Sequence, residues 1–254
     1  MMIVETLSEK VYGPNRDRAL ISLKFSLERA FEGLEVSVVE VHADGEGWVS
    51  VSLDGEDVEV AVEYVTRLYG KVLRRGEASR LSEVRGRLSK ISPEGLTVDV
   101  GPGGLKAFVP WEWLRIQLSP NAETVQDAAE TFSMVENIPV YVKILDPSVE
   151  PMEAKLSERQ VRLYASWTKS GLDRVVVTST TRSRLKKALK ASGLIRNVVG
   201  IEQLGTLEHA VPCKLASDPM RVAEAIVKRI PESTVALFDP EKAREKMGSR
   251  LMYP

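Results

Sequence analysis

The same order of elements (strand, helix, strand, strand, helix) can be read at both ends of this chain, around a centre of different character. At the start, MIVETLSEKV reads as a strand and Asn15 as the cap of the helix RDRALISLKFSLERAF. There Leu20, Leu23, Leu27 and Ala30/Phe31 recur at helical spacing, which gives the helix one apolar face. EVSVVEV and GWVSVSL follow as a hairpin about the loop at 42–47. Asp54 or Asp57 caps a second helix whose stripe is Val58, Ala61, Val62, Val65 and Leu68/Tyr69, and KVLRR is a candidate closing strand. Near the other end, RVVVTS precedes a helix that Thr180 or Thr181 caps and Gly193 terminates. VVGIEQL and TLEHAVPCKL form a hairpin about Gly205, Asp218-Pro219 opens a further helix in cap-then-proline order, and STVALFD is a last strand. This β-α-β-β-α-β order predicts a ferredoxin-like unit at each end.

Between them the pattern changes. EVRGRLSKI, GLTVDVG, LKAFVP, PVYVKIL and MEAKLS are short runs with strand alternation, interrupted by the helix-like TVQDAAETFSM. SERQVRLYASWTKSG reads as a linking helix. The expected division is therefore 1–75 for the N-terminal βαββα unit, 80–158 for a β-rich centre, 159–171 for the linking helix and 172–254 for the C-terminal unit. A length of 254 residues suits two or three such units.

Charge is distributed unevenly over a chain whose net charge is only −1. Residues 1–70 carry 6 Lys/Arg against 14 Asp/Glu, residues 71–90 carry 7 against 2, residues 91–170 carry 7 against 11 and residues 171–254 carry 15 against 9. Segments of −8, +5, −4 and +6 favour local anionic partners over general polyanion affinity. The acidic first unit is a candidate protein-contacting surface. No apolar run is long enough to span a bilayer and the start has no secretory pattern, so a cytoplasmic protein is expected. The single Cys213 excludes an internal disulfide and any multi-cysteine metal site. Low Asn and Gln with abundant Arg and Glu lean towards a thermophile.

Within the centre, RGRLSKISPEGLTVDV, GPGG, LKAFVPWEWL and VYVKILDPSVEPMEAKLS resemble the S1 class of OB-fold nucleic-acid-binding domains. The resemblance covers about 75 residues. It implies an S1-like β-barrel flanked by the two α/β units, an α+β fold overall, and single-stranded RNA as the class of ligand. Leu96 replaces the aromatic that usually follows the turn glycine, and Pro110-Trp111 replaces the usual histidine near the end of the third strand. The whole order also resembles an uncharacterised archaeal protein family.

Strand alternation sets Val84 and Leu88 inward, with Arg85 and Arg87 outward. Lys106 and Phe108 share one face of the third strand, and Tyr141 and Lys143 one face of the fourth. Rings stack on bases and cations pair with phosphates, so these six residues form the expected barrel interface. A second basic surface is the helix carrying Arg182, Arg184, Lys186, Lys187 and Lys190, which contains no acid. Phosphate contacts of that kind position a partner without reading its sequence. The bland alternatives are an edge strand protected by charge and a merely solvated helix face.

Other motifs are silent. GPGG at 101–104 continues as a strand and lacks the Gly-Lys-Ser/Thr of a phosphate loop. His42 and His209 have no ligand spacing for zinc, Cys213 reads as a small core residue, and no nucleophile elbow or catalytic triad is visible. The expected protein is non-enzymatic, needs no cofactor or metal, and binds single-stranded or ribosomal RNA in translation or RNA processing. The alternatives are a protein-interaction scaffold with a degenerate barrel, and a small-molecule sensor built on the end units. Trp111 and Trp113 are expected on a short helix at the seam between the barrel and its neighbours.

Overall fold

The computed structural model describes residues 2–251. Met1 and residues 252–254, the outer ends of the first and last expected units, lie outside the described residues.

The N-terminal unit comprises β1 (Met2–Lys10), α1 (Arg16–Ala30), β2 (Val36–Ala43), β3 (Trp48–Gly55) and α2 (Val58–Tyr69). Its sheet runs β1-β3-β2, antiparallel throughout, and KVLRR adds only a single bridge, Lys71 to Leu7, beyond β1. Ala19, Leu23 and Leu27 of α1, Phe31 just after it, and Val58, Ala61, Val65 and Tyr69 of α2 are buried against Val49, Val51 and Leu53. Asn15 stands at the α1 cap position but makes no capping bond. Its side chain is buried and reaches residues of the C-terminal unit instead.

The central strands are β4 (Glu83–Ser92), β5 (Gly95–Gly101), β6 (Leu105–Pro110), β7 (Pro139–Asp146) and β8 (Met152–Leu156). They close into a barrel in the order β4-β5-β6-β8-β7, with β6 and β8 parallel, an arrangement consistent with an OB-like fold. Alternation fills the interior with Val84, Leu88, Leu96, Val98, Ala107, Val109, Val140, Val142 and Leu156. The helices α3 (Trp111–Gln117) and α4 (Val125–Thr131) sit in the long β6–β7 connection. Both tryptophans of α3 are partly buried against the barrel core, while Leu114 is fully buried.

Helix α5 (Glu158–Ser170) leads to β9 (Arg174–Val177), α6 (Arg182–Ala191), β10 (Glu202–Gln203), β11 (His209–Pro212), α7 (Pro219–Arg229), β12 (Val235–Phe238) and α8 (Pro240–Leu251). The last sheet runs β10-β11-β9-β12, again antiparallel. Asp218 caps α7 by accepting from the Met220 and Arg221 amides at 2.9 and 3.3 Å. All four residues of β9 are buried, because its sheet is covered on both faces. Val175 and Val177 meet the core under α6 and α7, whereas Val176, Ala210 and Phe238 join the barrel's core. There Phe238 packs tilted against Phe132, at 6.4 Å, and edge-on against Trp167, at 5.3 Å. Helix α5 therefore does more than link: Tyr164 and Trp167 cement barrel to C-terminal sheet, and α8 folds back to place Ala243 and Met247 in the same cluster.

Candidate nucleic-acid interface

Arg85 and Arg87 correct the expectation made for them. They point out of the barrel, as alternation requires, but what lies outside β4 is the rest of the protein. Arg85 is 7% exposed and Arg87 1%. Each flanking unit supplies a fully buried acid to meet them: Glu9 from β1 and Glu208 from the turn before β11. Arg87 pairs with Glu9 at 2.5 Å and with Glu208 at 2.6 Å, and Arg85 pairs with Glu9 at 2.6 Å. Two guanidinium groups and two carboxylates thus cancel in charge at the junction of all three units.

Further donors complete the junction. Thr206 gives its amide and its hydroxyl to Glu9, both at 2.7 Å, and the Tyr12 hydroxyl donates to Glu208 at 2.6 Å. Arg85 donates to the Leu204 carbonyl at 2.7 Å and also to the carbonyl of Tyr69. Burial pushes the Glu9 carboxyl up, but Arg87, Arg85 and Thr206 together hold it below its ordinary value. For Glu208 the balance falls the other way, since burial and the Glu9 charge outweigh Arg87 and leave its pKa raised. Burial and Glu208 also push the Tyr12 hydroxyl up.

Tyr141 is not internal. It is half-buried in the wall of a cleft of about 380 Å³ that Arg67 and Lys71 also line. Arg159 of α5 lies 4.0 Å from its ring centre, and Arg85 lies 5.9 Å away on a more distant line. Lys143 instead faces Glu158 at 3.3 Å. Lys106 is exposed and Phe108 half-buried, and Lys106 borders a separate cleft with Arg74 and Arg75. The six barrel residues therefore do not form one surface. Two are internal, two sit beside α5, and two remain on the strands β5–β6 side.

Helix α6 holds most of the expected positive charge free. Arg182, Lys186, Lys187 and Lys190 are exposed and, among the described residues, make no ion pair. Arg184 is the exception: it is half-buried, pairs with Glu232 and donates to Asn15 Oδ1 at 2.9 Å. Arg182 and Lys186 line a further cleft of about 380 Å³, whose opposite wall is Ser22 and Ser26 of α1.

Sequence reasoning missed Glu9, Glu208, Tyr12 and Arg159. The available signal was an acid within a strand-like stretch, in TLSEKVY and in TLEHAVP, because an ionised side chain buried there needs a partner. Nothing local points from Tyr141 to Arg159.

No group of His, Cys, Asp and Glu among the described residues is arranged to hold a metal ion. Burial pushes the Cys213 thiol up to about 11, and no helix among the described residues is long and apolar enough to cross a membrane.

A closed five-stranded barrel between two small units of sheet and helices, joined through a neutral buried cluster, defines a three-part α+β protein. In sequence, the chain matches the DUF2110 N-terminal domain over residues 4–75, the DUF2110 central domain over 79–168 and the DUF2110 C-terminal domain over 172–237. It belongs to the DUF2110 family. No curated protein matches it. Among solved structures, it is similar to GSP13 from Bacillus subtilis, at 19% identity over 34% of this chain and 58% of that one, with a TM-score of 0.26. It is also similar to a chain of the a/eIF2alpha-aDim2p-rRNA complex from Pyrococcus horikoshii OT3, at 15% identity over 46% and 64%, TM-score 0.26. The intact alpha subunit of aIF2 from Pyrococcus abyssi gives 12% identity over 65% and 98%, with the same TM-score. The chain thus spans less than two thirds of the first two.

Proposed function

We propose that this is a non-enzymatic RNA-binding protein that serves translation or RNA processing in the cytoplasm, with two ferredoxin-like units and an S1-like barrel as a single rigid frame. The observation that carries the reading is α6: four exposed cations, no acid on the helix, and no ion-pair partner among the described residues. Lysine and arginine left free on one short helix suit a phosphate backbone, whose counterions they displace. The Tyr141–Arg159 stack, with Arg67 and Lys71 beside it, supplies a place for a base next to charge. The reading assigns no catalytic step and no cofactor.

Fluorescence anisotropy with short single-stranded RNA at low salt tests it. Binding is expected to weaken linearly with log salt. Replacing Arg182, Lys186, Lys187 and Lys190 by Gln together is expected to lower the slope by about 0.7 for each phosphate that is no longer neutralised. No RNA binding at low salt, or no change in the variant, overturns the reading.

A scaffold reading has one observation in its favour: Arg85 and Arg87, half of the barrel's expected cations, are consumed inside the protein. A stoichiometric protein partner that survives nuclease treatment supports it, and the acidic N-terminal unit is the expected contact. Association that disappears with the RNA counts against it.

A further inference from the structure

The α1–α6 cleft has the composition of a site for a phosphate monoester. Arg182 and Lys186 enter from one side, Ser183 and Gln203 lie beside them, and Ser22 faces them from the other unit. Among the described residues no Asp or Glu lines the cleft, so its two cations are uncompensated at the wall. Glu9 stands behind Thr206, but Arg85 and Arg87 already neutralise it. A phosphodiester in a chain carries one negative charge, whereas a terminal phosphate approaches two near neutral pH. Two cations match the second.

The start of α6 adds donors. Thr181 stands at its cap without a capping bond, and its first turn holds no acid, so the leading amides have no side-chain acceptor. An independent observation lies in the floor. His209 is fully buried and lines the cleft, and its Nε2 is 3.0 Å from the Thr180 carbonyl. A carbonyl only accepts, so Nε2 carries the proton and Nδ1 is an acceptor, and Nδ1 has no partner among the described residues. Burial holds the imidazole at about 4, neutral at pH 7. An orphan acceptor at the floor is matched by a hydroxyl or amino group, not by phosphate. The ring of Tyr69 and about 380 Å³ of space leave room for more than an ion.

We infer that the α1–α6 cleft binds the phosphomonoester end of a nucleotide, either free or as the terminus of an RNA. The inference rests on the RNA reading only for the second source. Arg182, Lys186 and the first turn of α6 hold the phosphate, while Gln203 and His209 meet the sugar or base.

The test compares short single-stranded RNA with and without a 5′-phosphate, and titrates adenosine 5′-monophosphate separately. Charge-assisted contacts to the extra phosphate are expected to favour the phosphorylated RNA by about tenfold. R182Q/K186Q is expected to erase that ratio. K187Q/K190Q, on the same helix outside the cleft, is expected to weaken both RNAs and keep the ratio. All four side chains are exposed, and far-UV circular dichroism checks the fold. If both RNAs bind equally and the nucleotide does not bind, this inference fails while the RNA reading stands. If the nucleotide alone binds, and R182Q/K186Q abolishes it, the site takes free nucleotide and the RNA reading fails. A phosphoserine peptide that binds as tightly as the nucleotide overturns the nucleotide assignment.

Discussion

Arg87→Met probes the junction most directly. Methionine keeps much of the arginine's volume and removes its charge. Glu9 retains Arg85 at 2.6 Å and the two Thr206 donors, but among the described residues Glu208 loses its ion-pair partner and keeps the Tyr12 hydroxyl. Removing one partner of a buried ion pair costs about 3–5 kcal/mol, most of it from the charge left behind. Against a typical total of about 5–15 kcal/mol, that is a fifth or more of the protein's stability. Urea unfolding followed by tryptophan fluorescence and circular dichroism reads the loss. Adding Glu208→Gln to R87M is expected to recover part of it, because an unsatisfied neutral amide costs only about 1–3 kcal/mol.

The pH dependence of R87M provides a second check. The Glu208 carboxyl already sits above its ordinary 4.5, and losing Arg87 raises it further. Between 4.5 and that raised value the folded state binds a proton that the unfolded state does not, so stability rises as pH falls through the window. R87M should therefore lie closer to wild type at mildly acidic pH than at neutral pH. A loss below about 1 kcal/mol, the range of exposed pairs, refutes the reasoning, as does a double variant worse than R87M alone.

Other expectations use separate parts of the structure. The buried His209 stays neutral down to about 4 when folded but protonates near 6.5 when unfolded, so the unfolded state binds more protons between those values. Stability should fall by roughly 3 kcal/mol as pH drops through that window, and the urea midpoint of wild type relative to that of His209→Gln, which does not titrate, should fall with it. A Cβ on Gly205 would collide with Glu208 Oε2 and stand 2.7 Å from Arg87 Nη1, so Gly205→Ala should cost about 1–3 kcal/mol by thermal unfolding. Arg159→Ala removes the exposed half of the Tyr141 stack, so it should change stability by under about 1 kcal/mol yet weaken RNA binding severalfold in anisotropy titrations.

Local pattern made most of the elements legible. The α1 and α2 stripes, the barrel alternation and the Asp218-Pro219 start of α7 all follow from spacing within a few residues. The candidate site was legible only where it is also local, on α6. Arg85 and Arg87 show the limit. Alternation decides which side of a strand a residue faces, but not what stands on that side, and here the answer comes from Glu9, 78 residues away, and Glu208, 121 residues away. β10 shows a weaker case: VVGIEQL carries a strand pattern, yet only Glu202 and Gln203 form a strand, and Val198 is limited to a single bridge with Cys213.

The junction and the cleft share a residue, and that has a consequence for function. Thr206 lines the cleft while donating both its amide and its hydroxyl to Glu9, and the cleft's walls come from α1 in one unit and α6 in another. The cleft is therefore complete only while Glu9, Arg87 and Glu208 hold the units together. R87M touches no residue of the α6 wall, and the free cations of α6 remain after it. It should consequently spare general, salt-sensitive RNA binding and reduce the preference for a 5′-phosphate, measured on protein that remains folded at low temperature. Loss of both together would mean that α6 itself is disturbed. Retention of the full preference would show that Arg182, Lys186 and the helix start suffice without the opposing wall, and the two-unit cleft would then be wrong as the binding element.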